Sequence, residues 1–140
     1  MDQTADHPSI EITLRARYAE TDAMGVVHHA SYIVWLEAGR TELLRAQGVS
    51  YREIEGNGIF IVLTELHVRY LAPARYDDLV ILRTSIVELR SRQGRFAYML
   101  RMAETGAPLL TAQSEHVFVS RATGRPARLP PALLARWRGT

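Results

Sequence analysis

Neither cysteine nor lysine occurs among the 140 residues. Without cysteine there is no disulfide framework, thiolate zinc site, iron–sulfur cluster or cysteine nucleophile. Without lysine, all 17 basic side chains are arginines, whose planar forks suit phosphate and carboxylate. Aromatic residues are scarce at 8%, and no stacking or zinc motif accompanies them, which argues against a nucleic-acid binder. No run approaches the ~18 apolar residues of a membrane-spanning helix. Residues 1–9 are polar, with two aspartates, and lack the basic-then-apolar order of a signal peptide. These absences lead to the expectation of a cytoplasmic protein without a membrane span.

What is present is the composition of a folded domain, 47% hydrophobic and 23% charged. The length suits one domain, able to bury roughly two thirds of its unfolded surface without a metal or disulfide staple. Residues 1–8 read as a flexible tail and residues 9–140 as a single domain. Charge is segregated. Residues 1–82 carry seven arginines against twelve carboxylates, and residues 83–140 carry ten against three. A basic second half points to an anionic partner.

Along residues 10–18, Ile10, Ile12, Leu14, Ala16 and Tyr18 alternate with polar residues, the period-two pattern of a strand with one buried face. Gly25 marks a loop. Residues 31–48 carry Tyr32, Leu36, Gly39, Leu43 and Ala46 at helical spacing, with Ser31 as the expected cap and Gly48 as the stop. Ile33, Val34, Trp35 and Leu36 make the first turns apolar nearly all round, so this helix is expected to be largely enclosed. Gly39 lowers helix propensity, which a close approach to a sheet would explain. Ser50 and Glu53 form a capping-box pattern for a short helix. Strand patterns follow at 59–71, 79–89, 96–104 and 109–121, with short connections that imply antiparallel neighbours. A short amphipathic helix is expected at 132–137. One long helix on about five antiparallel strands is an α+β layer arrangement. Its open strand edges call for a partner, so a dimer is expected.

Three stretches carry a resemblance. Residues 18–45, YAETDAMGVVHHASYIVWLEAGRTELLR, contain Asp22, Gly25, Val26, Val27, His28, His29 and Tyr32 in order. Residues 69–82 read RYLAPARYDDLVIL, and residues 116–130 read HVFVSRATGRPARLP. Together they resemble the 4-hydroxybenzoyl-CoA thioesterase group of hotdog-fold acyl-CoA thioesterases, including its YbgC-like branch. His28 departs from the aromatic residue common in that group. The resemblance implies a hotdog fold, in which a five-stranded antiparallel sheet wraps one long central helix. It also implies edge-to-edge dimers that assemble further into homotetramers, with active sites at the subunit interface.

It implies an enzyme as well, hydrolysing an aromatic or short-chain acyl-CoA to free acid and CoA. Asp22 is then the catalytic carboxylate, acting as general base or nucleophile, and the backbone N–H of His29 faces the thioester oxygen. Helix-head N–H groups lack internal partners and sit at the positive end of the dipole. Such a donor aimed at an oxyanion is worth ~3 kcal/mol. Gly25 would let the loop approach the substrate without a Cβ. Val27, His28 and Tyr32 are candidate pocket residues. The 90–95 hairpin, with Arg90, Ser91 and Arg92, is a candidate site for CoA phosphates, as is Arg128. No cofactor is expected beyond the CoA of the substrate, and no metal, since His28 and His29 lack a third ligand at suitable spacing.

Glu37 is the rival catalytic carboxylate; otherwise it is a surface residue near Arg40. His67 and His116 read as structural or interface residues. Ser114 lacks a nucleophile elbow. Two alternatives share the fold: a non-catalytic acyl-CoA or acyl-carrier-protein binding module, and an acyl-carrier-protein thioesterase. A hotdog dehydratase would need a signature that is missing.

Overall fold

The computed structural model describes residues 7–139. Five strands, β1 (Ser9–Arg15), β2 (Ile59–Tyr70), β3 (Leu79–Leu89), β4 (Gln93–Met102) and β5 (Pro108–Ser120), form one antiparallel sheet in the order β1-β3-β4-β5-β2. Three helices accompany them: α1 (His29–Ala46), α2 (Tyr51–Gly56) and α3 (Pro131–Arg138). The expected α+β arrangement stands. Of the expected 1–8 tail, residues 1–6 lie outside the described residues, and the Pro8 carbonyl accepts the Ile86 N–H at 2.9 Å.

Alternation along the strands buries one face of the sheet: Val80, Leu82, Phe96, Tyr98, Leu100, Leu110, Ala112 and Phe118. Against it lie Tyr32, Trp35, Leu36, Leu43 and Leu44 of α1. Fully burying an aliphatic or aromatic side chain is worth about 1.5–3 kcal/mol, so this two-sided apolar layer is the main source of stability. Gly39 is where the two layers come closest. A Cβ there would stand 2.3 Å from Thr84 Oγ1 and 2.8 Å from Leu82 Cδ2. The close approach expected for this glycine is therefore present.

Three expectations change. The long helix starts at His29 and not after Ser31, because the His28 ring Nδ1 accepts the Ala30 N–H (3.1 Å) and caps it. Enclosure holds for one face of α1 only; Ile33 and Val34 remain exposed. The third change concerns β2 and β3, which do not pair. β2 pairs with β5, and β3 lies between β1 and β4. The intervening residues 71–78 form no hairpin turn. Their backbone instead docks on the loop before α1, with Val27 N–H donating to Ala74 O (2.8 Å) and Asp77 N–H to Ala16 O (2.9 Å). That crossing leaves β2 at one sheet edge and β1 at the other.

Candidate active site

The loop between β1 and α1 begins with a 3-10 turn, Tyr18–Glu20. It then reverses at residues 22–25, where Gly25 N–H donates to Asp22 O (3.0 Å) and Asp22 N–H to Val26 O (2.9 Å). Gly25 has φ +78° with nothing within 4 Å of a Cβ position. It supplies the left-handed conformation of the turn, with open space on the side where a Cβ would stand. Asp22 Oδ1 accepts the Met24 N–H at 2.8 Å. Among the described residues, Oδ2 has no hydrogen-bond partner.

At the helix head, Ala30 N–H is taken by the His28 ring and Ser31 N–H by His28 O (2.9 Å). The His29 N–H donates to no acceptor among the described residues. It is thus a free donor at the positive end of an 18-residue helix. Asp22, Val26, Val27, His29 and Tyr32 line a cavity of about 350 Å³, closed on the other side by Tyr70, Leu71, Ala72 and Pro73. The Tyr32 hydroxyl accepts the Ala74 N–H (2.9 Å), and Tyr70 Oη donates to His29 O (3.0 Å). Burial pushes the Tyr32 phenol above its ordinary pKa, so it stays a neutral hydroxyl.

The structure thus gathers Asp22, Gly25, Val27, His29 and Tyr32 at one place. His28 caps α1 and stacks beside His29, with ring centroids 4.1 Å apart, and does not line the cavity. Arg90, Ser91 and Arg92 are not at this cavity. They form the β3–β4 turn, eleven β3 residues from Leu79, which is about 35 Å along an extended strand. Arg90 pairs with Glu88, and Ser91 O accepts Leu129 N–H (2.7 Å). Arg92 and Arg128 form no ion pair among the described residues. Glu37 does not pair with Arg40, whose guanidinium donates instead to the Tyr51 (3.3 Å) and Tyr98 (3.1 Å) hydroxyls. His116 is buried, with its ring Nε2 2.8 Å from Ser114 Oγ. Among the described residues no cluster of three potential metal ligands occurs.

Sequence reasoning missed Tyr70 and the 71–73 segment as cavity wall. The signal was there: Pro73 breaks an alternating strand, and the freed Ala74 N–H and C=O turn toward Tyr32 and Val27.

A family model described as the Thioesterase-like superfamily matches residues 16–137. The chain belongs to this superfamily. Among its relatives, the acyl-CoA thioester hydrolase YbgC of Escherichia coli is 34% identical over 125 residues, covering 89% of this chain and 92% of that protein. The putative acyl-CoA thioesterase YneP of Bacillus subtilis is 30% identical, covering 85% and 86%. A DHNA-CoA thioesterase structure from Staphylococcus aureus superposes with a TM-score of 0.83 at 30% identity, over 86% of this chain and 80% of that one. A hypothetical protein from Thermus thermophilus, TT1821, gives 0.84 at 36% identity, over 91% and 95%. The hotdog fold and the thioesterase class expected from the sequence are both borne out. No helix among the described residues is long and apolar enough to cross a membrane.

Proposed function

We propose that this superfamily member hydrolyses the thioester of an acyl-CoA, releasing the free acid and CoA thiol. The observation that carries the reading is the pairing in one cavity of an unpartnered carboxylate oxygen, Asp22 Oδ2, with an unpartnered helix-head donor, His29 N–H. The N–H polarises the carbonyl and holds the negative charge that develops on its oxygen. Asp22 supplies the attack, either directly or by taking the proton of an attacking water. Tyr32, Val27 and Tyr70 give the reacting end an apolar wall.

The arginines proposed for the CoA phosphates come from a second copy. Arg90–Arg92 lie at the end of the sheet where Gly94 pairs with His116 and His116 with Leu63. Asp22 lies at the other end, beside Tyr70. Antiparallel pairing of two β2 edges about the strand's middle lays the 60–63 end of one protomer over the Tyr70 end of the other. It also covers the exposed Phe60, Val62, Leu63, Ile33 and Val34. A second cavity of about 590 Å³, lined by Glu37, Arg40, Tyr51 and residues 60–63, then adjoins the partner's Asp22 cavity.

The test is thiol release from a panel of aromatic and short-chain acyl-CoAs and from acyl-carrier-protein thioesters. Asp22→Asn should lose about 10²–10⁴-fold in kcat with its circular dichroism unchanged. Full turnover by that variant refutes the assignment. Tight binding without thiol release by the unaltered protein would establish the non-catalytic binding module instead.

A further inference from the structure

The residue two positions before Asp22 is a carboxylate that the reaction does not use. Glu20 is 8% exposed, which is unusual for an acid. Its Oε2 accepts the indole Nε1–H of Trp35, seven positions into α1, at 2.7 Å. Its Oε1 accepts the Arg17 N–H at 2.8 Å, with the Arg17 guanidinium at 3.5 Å. Its backbone carbonyl accepts the His28 N–H (2.8 Å) and the Ser31 hydroxyl (3.3 Å). One residue therefore ties the segment leading into Asp22 both to the body of α1 and to His28 and Ser31, which bracket the helix head that carries His29.

We infer that Glu20 is a positioning residue, a clamp that sets the separation between the Asp22 carboxylate and the His29 N–H. The inference rests on the reaction proposed above. Both carboxylate oxygens face N–H donors, so the site requires an acceptor-only group. Glutamine at this position would turn one N–H₂ toward a donor and open either the Trp35 or the Arg17 side. Trp35 is buried with only its indole N–H bonded in this way, so Trp35→Phe removes the same tie while keeping an aromatic ring. Neither Glu20 nor Trp35 lines the Asp22 cavity. Misplacement of a reacting group by about 1 Å costs about 10²-fold in rate, and that loss falls on kcat.

The experiment measures kcat and KM for thiol release in the unaltered protein, Glu20→Gln, Trp35→Phe, Glu20→Asp and Asp22→Asn. Glu20→Gln should lower kcat 10- to 100-fold with KM changed less than about 3-fold. Trp35→Phe should lower kcat in the same direction by less. Glu20→Asp, which keeps two acceptor oxygens, should recover part of the loss. Where Glu20→Gln does not fold, Trp35→Phe decides alone. Folded Glu20→Gln or Trp35→Phe with unaltered kcat overturns the clamp, as does a loss confined to KM. Failure of the reaction itself is separate and shows as full activity in Asp22→Asn.

Discussion

His29→Pro deletes the backbone N–H together with the imidazole, and His29→Ala deletes the imidazole alone. Position 29 is the first residue of α1, where proline's fixed φ and missing donor are tolerated. His28 already has φ −64° and ψ 141°, the conformation that a following proline imposes. The variant should fold and lose about 10²–10³-fold in kcat, whereas His29→Ala, which keeps the N–H, should stay close to the unaltered rate. Equal rates for the two variants would remove the His29 amide from the mechanism. A second residue-scale consequence concerns acid stability. Burial, reinforced by the Arg40 charge, lowers His116 to about 4 from 6.5. Between those values the unfolded chain binds a proton that the folded chain refuses, so stability falls as pH drops through this window. The loss by pH 4 is on the order of 3 kcal/mol. Urea midpoints at pH 7 and pH 4.5 should show it, and His116→Gln should flatten the difference.

At the scale of elements, the helix–sheet layer turns on Gly39. Alanine there gains about 1 kcal/mol of helix propensity. It also drives a methyl into Thr84 and Leu82 at 2.3 and 2.8 Å, and overpacking of this kind costs about 1–3 kcal/mol or more. Gly39→Ala should therefore be destabilising in urea unfolding; a stabilised variant would mean that α1 can lift off the sheet. The elements themselves were largely legible. Ser50 caps α2 by accepting the Glu53 N–H at 3.2 Å, and α3 spans Pro131–Arg138 against an expected 132–137. The start of α1 was misread because a histidine ring does the capping, a role that the usual cap residues would have signalled. Ser31 instead lies in the first turn, and its hydroxyl donates to Glu20 O.

The whole molecule leaves its β2 edge open, with Phe60, Val62 and Leu63 each more than a third exposed. Soluble proteins protect such an edge or pair it. Val62→Lys introduces a charge there, outside the Asp22 cavity of its own protomer. Size-exclusion chromatography with light scattering should find a dimer or larger assembly for the unaltered chain and a shift toward monomer for the variant. Thiol release should fall in parallel if, as proposed, Arg90 and Arg92 serve the cavity of a second copy. A fully active monomer would place the CoA site within one chain.

By itself the sequence determined the local events: period-two strands, the long helix, the Ser50 cap, and the loop that carries Asp22 and Gly25. Each is encoded by neighbours within a few residues, where alternation, capping and left-handed turns are set by short-range sterics and hydrogen bonds. The cavity was decided by the tertiary structure alone. Tyr70 reaches His29 and Ala74 reaches Tyr32, each across about forty positions, and Glu20 reaches Trp35 across fifteen. Such pairings follow from which strands lie side by side once the apolar faces of helix and sheet have been buried together.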